Sequence, residues 1–444
     1  MFRVVDDWVT KAARTRPEHP AVEAAEGALT YAELDREADL AARRLTALGV
    51  GPRARVAATL APGIDFAVLL HALPRVGAAL VPLNTRLPAE QQDRQRELAG
   101  AGLLVEEPLG GSTGPAGSGA TRELDPAAVH TVLFTSGTSG EPRPVELTLA
   151  NHEASAIGSA AALGADPADR WLCPLPLFHV GGLAILLRSA RWATTAVLHE
   201  RFDAKRVAAD LASGSITLAS MVPTMLARLR DVGLQPSPAL RALLLGGGPI
   251  PPELLAWARE RELPVRTTYG MTETGSQVVV TEPGEASGRP VTGAELAIAP
   301  AGGEILVRGP MVAADALAND GWLHTGDHGR LDQRGHLHVD GRIKELIVTG
   351  GENVAPALVE AALLEHPAVR DAGVVGVADP EWGEAVVALV VLDRDARAGD
   401  LRDWCRARLA GHEVPKRVEM VARLPRNAAG KLVRRDLTTL AGSH

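Results

Sequence analysis

Cysteine is scarce in this 444-residue chain: there are two, Cys173 and Cys405. Cys173 alternates with Trp171 and Leu175 as on a strand, and Cys405 lies with Leu401, Trp404 and Leu409 at helical spacing. This excludes a disulfide scaffold and points to buried thiols in a reducing, cytoplasmic setting. An excess of positive charge is also lacking. The net charge of −8 argues against a nucleic-acid or anionic-membrane partner, while leaving room for a local basic pocket that binds phosphate. No uncharged apolar run reaches the roughly 18 residues a membrane span needs. The first residues carry Asp6 and Asp7 where a signal peptide would be basic and then apolar, so export is not expected. No internal repeat is visible.

What is present is an ordinary globular composition, 46% apolar and 23% charged, over a length that exceeds one hydrophobic core. Two or more domains are expected. Short apolar runs at residues 56–60, 79–83, 103–106, 171–175, 195–199, 216–222 and 240–245 read as strands, separated by helix-like stretches such as 203–212 and 251–262. That alternation predicts an α/β fold, with a large multi-layer N-terminal domain built on parallel-rich sheets. The Gly- and Ser-rich stretch at 110–119 has nothing to bury and reads as a surface loop without a binding role. Near Asp340 the character changes. A helix from Pro356, strands at 372–377 and 385–392 and a helix at 400–410 predict a small α+β domain, dividing the chain into 1–341 and 342–444.

An apolar run at 128–134 reads as a buried strand and leads into Thr135-Ser-Gly-Thr-Ser-Gly-Glu-Pro-Arg-Pro144. Glycine lets several backbone N–H groups point at one anion, and Ser or Thr adds donors without bulk. Thr135, Ser136, Gly137, Thr138, Ser139 and Gly140 are therefore candidate polyphosphate ligands. The lysine-bearing P-loop is excluded, because Gly140 is followed by Glu-Pro-Arg.

Five further segments follow in order: Pro176-Leu-Phe-His179, Tyr269-Gly-Met-Thr-Glu273, Trp322-Leu-His-Thr-Gly-Asp327, Gly341-Arg-Ile-Lys-Glu345 and Pro425-Arg-Asn-Ala-Ala-Gly-Lys431. Together with the loop they resemble the signature of the adenylate-forming superfamily, which includes acyl-CoA synthetases, the adenylation domains of peptide synthetases and firefly luciferase. The resemblance spans nearly the whole chain. It implies a large N-terminal domain and a small mobile C-terminal one. It also implies an enzyme that joins a carboxylic acid to AMP from ATP and Mg²⁺, releases pyrophosphate, and passes the acyl group to a thiol such as that of coenzyme A.

Such chemistry needs cations and donors, because a carboxylate is a poor electrophile and repels polyphosphate. On the resemblance, residues 135–140 hold the β- and γ-phosphates, with Arg143 standing where relatives usually carry lysine. Thr272 donates to the α-phosphate and Glu273 holds Mg²⁺. Tyr269, followed by Gly270 and Met271, offers a flat face to adenine, while Gly246, Gly247 and Gly248 leave room for the base edge. Asp327 accepts from both ribose hydroxyls, with Arg342 nearby. Lys431 reaches between the substrate carboxylate and the α-phosphate in the first half-reaction. Lys344 is the hinge; rotation about it removes Lys431, brings Gly350 and Gly351 to the adenylate and opens a path for the thiol. Phe178, His179, Arg188 and Ser276 fall on the acyl and CoA side.

Taken singly, each residue has a plainer reading. Asp327 is then a turn residue, Tyr269 a strand aromatic, Glu273 a surface acid at a helix start, Lys431 a solvated lysine in a basic tail and Lys344 an exposed interdomain lysine. Phe178 and His179 stand open between an acyl pocket or thiol gate and a packed aromatic beside a core histidine. Within the superfamily, the stretches 178–189 and 269–277 resemble the o-succinylbenzoate:CoA ligases. There the arginine matching Arg188 is expected to meet the second carboxylate of the acid, a partner that a guanidinium fork suits. The alternative is a helix arginine facing solvent or paired with an acid. Fatty, aryl and malonyl-type acids, loading of a carrier protein, and a nucleotide-binding protein without catalysis are the competing functions. The joint presence of Lys431, Glu273 and Asp327 speaks against the last. No carrier module is seen after Lys431. The expected partners are small molecules, and symmetric association into a homo-oligomer is common for such enzymes.

Overall fold

The computed structural model describes residues 5–109, 122–136, 142–283, 285, 287–426 and 432–442. The chain divides into two compact units. The first comprises Met1–Gly248, Ala258–Glu295 and Val307–Leu323; the second comprises Pro249–Trp257, Leu296–Leu306 and His324–His444.

In the first unit, strands and helices alternate from Arg170 onward. Strands Arg170–Cys173, Thr195–Leu198, Leu218–Met221, Ala242–Leu245 and Val265–Met271 follow one another, the first four linked by helices Val180–Trp192, Ala204–Ala212 and Pro223–Asp231. Parallel strands need such crossovers, and all five pair in parallel with their neighbours in one nine-stranded sheet. Leu218, Ala219, Ser220 and Met221 are all buried, as expected where helices cover both faces. The N-terminal strand Pro20–Ala24 joins the same sheet in parallel, and antiparallel strands close both edges. Thr195–Leu198 pairs on one side of Arg170–Cys173 and Leu218–Met221 on the other. Chain progression therefore reverses at that strand, and crevices beyond the carboxyl ends of strands at such reversals are where α/β folds bind ligands.

A second sheet runs Leu103–Val105, Arg55–Ala58, Ala79–Pro82, Val129–Ser136, Pro142–Thr148, parallel except for the last strand. Its strands bury Ala57, Ala79, Val81 and Val132 in one apolar cluster. The hairpin of Val129–Ser136 with Pro142–Thr148 frames the glycine-rich loop at the strand's carboxyl end.

One polar knot in this unit escapes any periodic reading. Arg75 is fully buried and pairs with Asp7 at 2.9 Å, Asp35 at 2.7 Å and Asp39 at 2.5 Å. Arg122 meets Asp35 and Asp39 from outside. The knot ties helix Trp8–Thr15, which Asp7 caps, to helix Tyr31–Ala47.

The second unit contains a four-stranded sheet in the order Glu295–Ile298, Glu304–Arg308, Leu323–Leu331, Leu337–Arg342. It also contains the expected α+β body. A long antiparallel hairpin, Val369–Asp379 with Gly383–Leu392, packs Val374, Val386, Ala388 and Val390 against helices Pro356–Leu364 and Ala398–Arg406. Strand Arg417–Met420 adds in parallel to the hairpin.

The strand and helix expectations hold to within a few residues. Both cysteines are buried as expected, and burial pushes the Cys173 thiol up to about 12 and the Cys405 thiol up to about 11. No helix among the described residues is long and apolar enough to cross a membrane. The stretch 110–119 lies outside the described residues.

Candidate active site

The sequence-derived candidates of the first unit follow the carboxyl ends of strands. Thr135 and Ser136 close strand Val129–Ser136, while Gly137, Thr138, Ser139 and Gly140 lie outside the described residues. Arg143 sits across the hairpin from Thr135, with its side chain exposed. Gly246, Gly247 and Gly248 follow strand Ala242–Leu245. A Cβ on Gly246 would overlap Thr268 Oγ1, and Gly247 has φ +83°. Only glycine fits this path beside the neighbouring strand, so the backbone here is laid open.

Tyr269, Gly270 and Met271 end strand Val265–Met271, and Thr272 and Glu273 form the one-turn helix Thr272–Thr274 that follows. This turn is held from two sides. The Glu273 carbonyl accepts from Ala313 N at 2.8 Å. Asn151, at the start of helix Leu149–Leu163, donates from Nδ2 to the carbonyls of Pro310 and Val312 at 2.9 and 3.0 Å. Thr272 and Glu273 are half-buried. Among the described residues no cluster of three or more His, Cys, Asp or Glu could cage a metal ion. A lone carboxylate beside threonine hydroxyls still fits Mg²⁺, which is commonly held by one or two carboxylates with substrate phosphates and water completing its shell.

Phe178 and His179 follow strand Arg170–Cys173, at the reversal point of the sheet. Their rings meet edge to face at 4.7 Å, and His179 is exposed rather than a core histidine. Phe178 lines a cavity of about 70 Å³ with Leu60, Phe66, Pro176 and Arg86, and the Arg86 guanidinium lies 5.8 Å from its ring.

Among the described residues Arg188 neither faces solvent nor pairs with an acid. It lies on the inner face of helix Val180–Trp192, is 3% exposed, and stands 5.7 Å from the Trp171 ring. Its Nη2 donates to Ser155 Oγ at 3.2 Å, and its Nε has no hydrogen-bond partner among the described residues. Burial pulls the guanidinium down to about 9. An interior cation with a single neutral acceptor is unfavourable unless an anion joins it. A small cavity of about 20 Å³ touches it, lined also by Ser159, Trp171 and Trp192.

In the second unit, Asp327 lies within strand Leu323–Leu331 rather than in a turn, and faces Arg342 in the register of strand Leu337–Arg342. Arg342 Nε pairs with Asp327 Oδ1 at 3.0 Å and its Nη1 donates to Thr325 O at 2.8 Å. The carboxylate is thus buried and paired with Arg342. Lys344 is exposed in the one-turn helix Ile343–Glu345. Gly350 and Gly351, with φ of +59° and +83°, form the two-residue turn between strands Ile347–Thr349 and Glu352–Val354. Lys431 lies outside the described residues.

Helix Leu149–Leu163 was not marked by sequence reasoning. It presents Asn151, Ser155 and Ser159 on one face, all buried. The available signal was polar residues at i, i+4 and i+8 in a helix otherwise rich in alanine.

A doubly covered parallel sheet with glycine-rich turns and hydroxyls at its strand ends is the architecture of a nucleotide-using enzyme. The chain belongs to the AMP-binding enzyme family: the family model matches residues 9–315, and that of the AMP-binding enzyme C-terminal domain matches residues 358–431. Among its relatives is the 2-succinylbenzoate–CoA ligase of Bacillus licheniformis, 38% identical over 97% of this chain and 99% of that protein. The solved o-succinylbenzoate CoA synthetase of Bacillus subtilis, in complex with its acyl-adenylate intermediate, superposes with a TM-score of 0.90 at 36% identity, covering 98% of each chain. The amide bond synthetase of Marinactinospora thermotolerans superposes with a TM-score of 0.87 at 29% identity, covering 98% of this chain and 99% of that one.

Proposed function

We propose that the chain is an AMP-forming acid–thiol ligase that activates 2-succinylbenzoate as its acyl-adenylate and transfers the acyl group to coenzyme A, a step of menaquinone biosynthesis. Full-length likeness to enzymes named for that acid supports the reading. The observation that carries it to a dicarboxylic acid is Arg188, a buried guanidinium with an orphaned Nε and no acidic partner among the described residues. One carboxylate of the acid pairs with Arg188 and the other is left for chemistry. Fatty and simple aryl acids would leave the buried cation unpaired.

The loop after Val129–Ser136, with Thr135 and Ser136 at its base, holds the terminal phosphates of ATP, and Arg143 supplies a cation across the hairpin. Tyr269 covers adenine, and the open backbone at Gly246, Gly247 and Gly248 accepts its edge. Asp327, positioned by Arg342, accepts from the ribose hydroxyls. Glu273 holds Mg²⁺, which when bound neutralises charge between phosphate oxygens. Thr272 donates at the α-phosphate, and Lys431 stabilises the charge that grows as the carboxylate oxygen attacks and pyrophosphate leaves. Ser276, Phe178 and His179 border the acyl and thiol side. For the second half-reaction we assign the pivot to Lys344, dividing 1–341 from 342–444, with Gly350 and Gly351 replacing Lys431 at the adenylate. The two buried thiols accord with a cytoplasmic setting, and association into a homo-oligomer accords with the general habit of soluble enzymes.

Pyrophosphate release over a panel of 2-succinylbenzoate, benzoate, malonate and a fatty acid, with and without coenzyme A, tests the reading. Pyrophosphate is expected with 2-succinylbenzoate alone, and a thioester once coenzyme A is added. Turnover of another panel member in preference to it, or of none, overturns the assignment.

A further inference from the structure

The turn that carries Thr272 and Glu273 ends in strained backbone. Gly275 is left-handed at φ +60°, and Ser276 has φ +133°, a region that side-chain-bearing residues rarely enter. Such a conformation persists only where its surroundings over-determine it. Within the turn, Thr274 Oγ1 accepts from Met271 N at 3.1 Å and lies 2.7 Å from Ser276 O. From outside, helix Leu149–Leu163 supplies two braces one turn apart. Ser159 Oγ accepts from Gln277 Nε2 at 3.1 Å, and Gln277 Oε1 accepts from Ser276 Oγ at 2.9 Å. Ser155 Oγ donates to Gly275 O at 3.0 Å.

Ser155 differs from Ser159 in its other partner, which is Arg188. A hydroxyl has one proton; while Ser155 Oγ accepts from Arg188 Nη2, that proton is committed to the Gly275 carbonyl. A cationic donor on the oxygen also strengthens the hydroxyl as a donor. The buried guanidinium and the strained turn therefore share one atom, and Arg188, Ser155 and Gly275 are all buried.

We propose that Ser155 is a positioning residue that couples filling of the acid subsite at Arg188 to the turn bearing Thr272 and Glu273. This rests on Arg188 being the acid subsite. With the subsite empty, one fork of the guanidinium has no acceptor and the group is held by Ser155 alone. A carboxylate on that fork fixes the guanidinium, fixes the proton of Ser155 toward Gly275, and so sets the geometry in which Glu273 and Thr272 meet the nucleotide. The acid thereby prepares the site for ATP before any bond is made.

Calorimetry tests this without turnover. The affinity for the Mg²⁺ complex of a non-hydrolysable α,β-methylene ATP analogue is measured with and without saturating 2-succinylbenzoate, in wild type, Ser155→Ala, Ser155→Thr and Ser159→Ala. Wild type is expected to bind the nucleotide about fivefold or more tightly with the acid present, a usual scale for coupling between sites. Ser155→Ala should bind each ligand alone yet show a ratio near one. Ser155→Thr, which keeps the hydroxyl, and Ser159→Ala, which breaks the brace that lacks Arg188, should retain the wild-type ratio. A merely structural serine would weaken nucleotide binding equally with and without acid. An undiminished ratio in Ser155→Ala, loss of the ratio in Ser159→Ala alone, or no coupling in wild type that binds both ligands overturns the proposal while leaving the acid subsite standing. If wild type fails to bind the acid at all, the assignment of the substrate is what has failed, and the coupling falls with it.

Discussion

Two buried arginines in the first unit should respond to the same substitution in opposite ways. Arg188 has one neutral acceptor, an orphaned Nε and a guanidinium pulled down to about 9 by burial. Held below the ordinary arginine value, its charged form opposes folding by several kcal/mol, at about 1.4 kcal/mol per pH unit. The sign is fixed: the folded value lies below the unfolded one, so the penalty accumulates as pH falls toward 9 and is fully present at neutral pH. Arg188→Met keeps most of the volume and removes the charge, and replacements of this kind commonly return about 1–4 kcal/mol. The expected variant melts a few degrees higher than wild type. It also loses roughly 30-fold to several thousand-fold in kcat/KM for 2-succinylbenzoate, the scale of a truncated buried charge pair at about 2–5 kcal/mol. Arg75→Met is the control. It strands Asp7 without its cation, leaves Asp35 and Asp39 to Arg122 alone, and should lower stability by about 3–5 kcal/mol. Differential scanning calorimetry and steady-state pyrophosphate release read both effects. An Arg188→Met enzyme that melts lower and keeps its KM for the acid would refute the reasoning.

Other outcomes follow from the same residues. Lys431→Ala should slow adenylation by roughly 10²–10³ while leaving thioester formation from supplied acyl-adenylate intact, and equal loss in both steps would remove the lysine from its role. Lys344→Pro should block thioester formation and spare pyrophosphate release in the first turnover, which rapid-quench kinetics resolve; unchanged thioester formation counts against the pivot. Acid should unfold the first unit early, because burial holds His71 down at about 3, His130 at about 4 and His152 well below its ordinary value. Folded values below the unfolded one mean that stability is full above the ordinary histidine range and is lost as pH falls through it. His71 and His130 together should forfeit about 3 kcal/mol between pH 6.5 and 5, seen as a lower urea midpoint, and a midpoint that does not move would contradict it.

How far the sequence could be read depends on how far along the chain each interaction reaches. Strand Arg170–Cys173 and helix Ala204–Ala212, with Asp203 accepting from Arg206 N at its start, are written in patterns a few residues long. So are the glycine-rich turns and the ordered motifs, which is why fold and family were accessible. Arg75 meets its carboxylates across 68, 40 and 36 positions, and no local pattern announces that three acids and one base will share a buried knot.

Arg188 shows the point most sharply, since a charged residue on a helix ordinarily reads as solvent-facing or paired. Burial without an acid is a property of the folded neighbourhood, of Trp171, Ser155 and the helix that carries it. Ser155 joins partners 33 and 120 positions away. What the sequence conveys is the machinery common to adenylate formation, because ATP imposes the same local donors wherever it binds. The sequence stretch around Arg188 already points to a dicarboxylic acid, but the partners that bury it and link it to the turn are brought together only by folding. An interior charge with few partners, as Arg188 has among the described residues, supports the proposed acid subsite, because burial disfavours an unpaired cation.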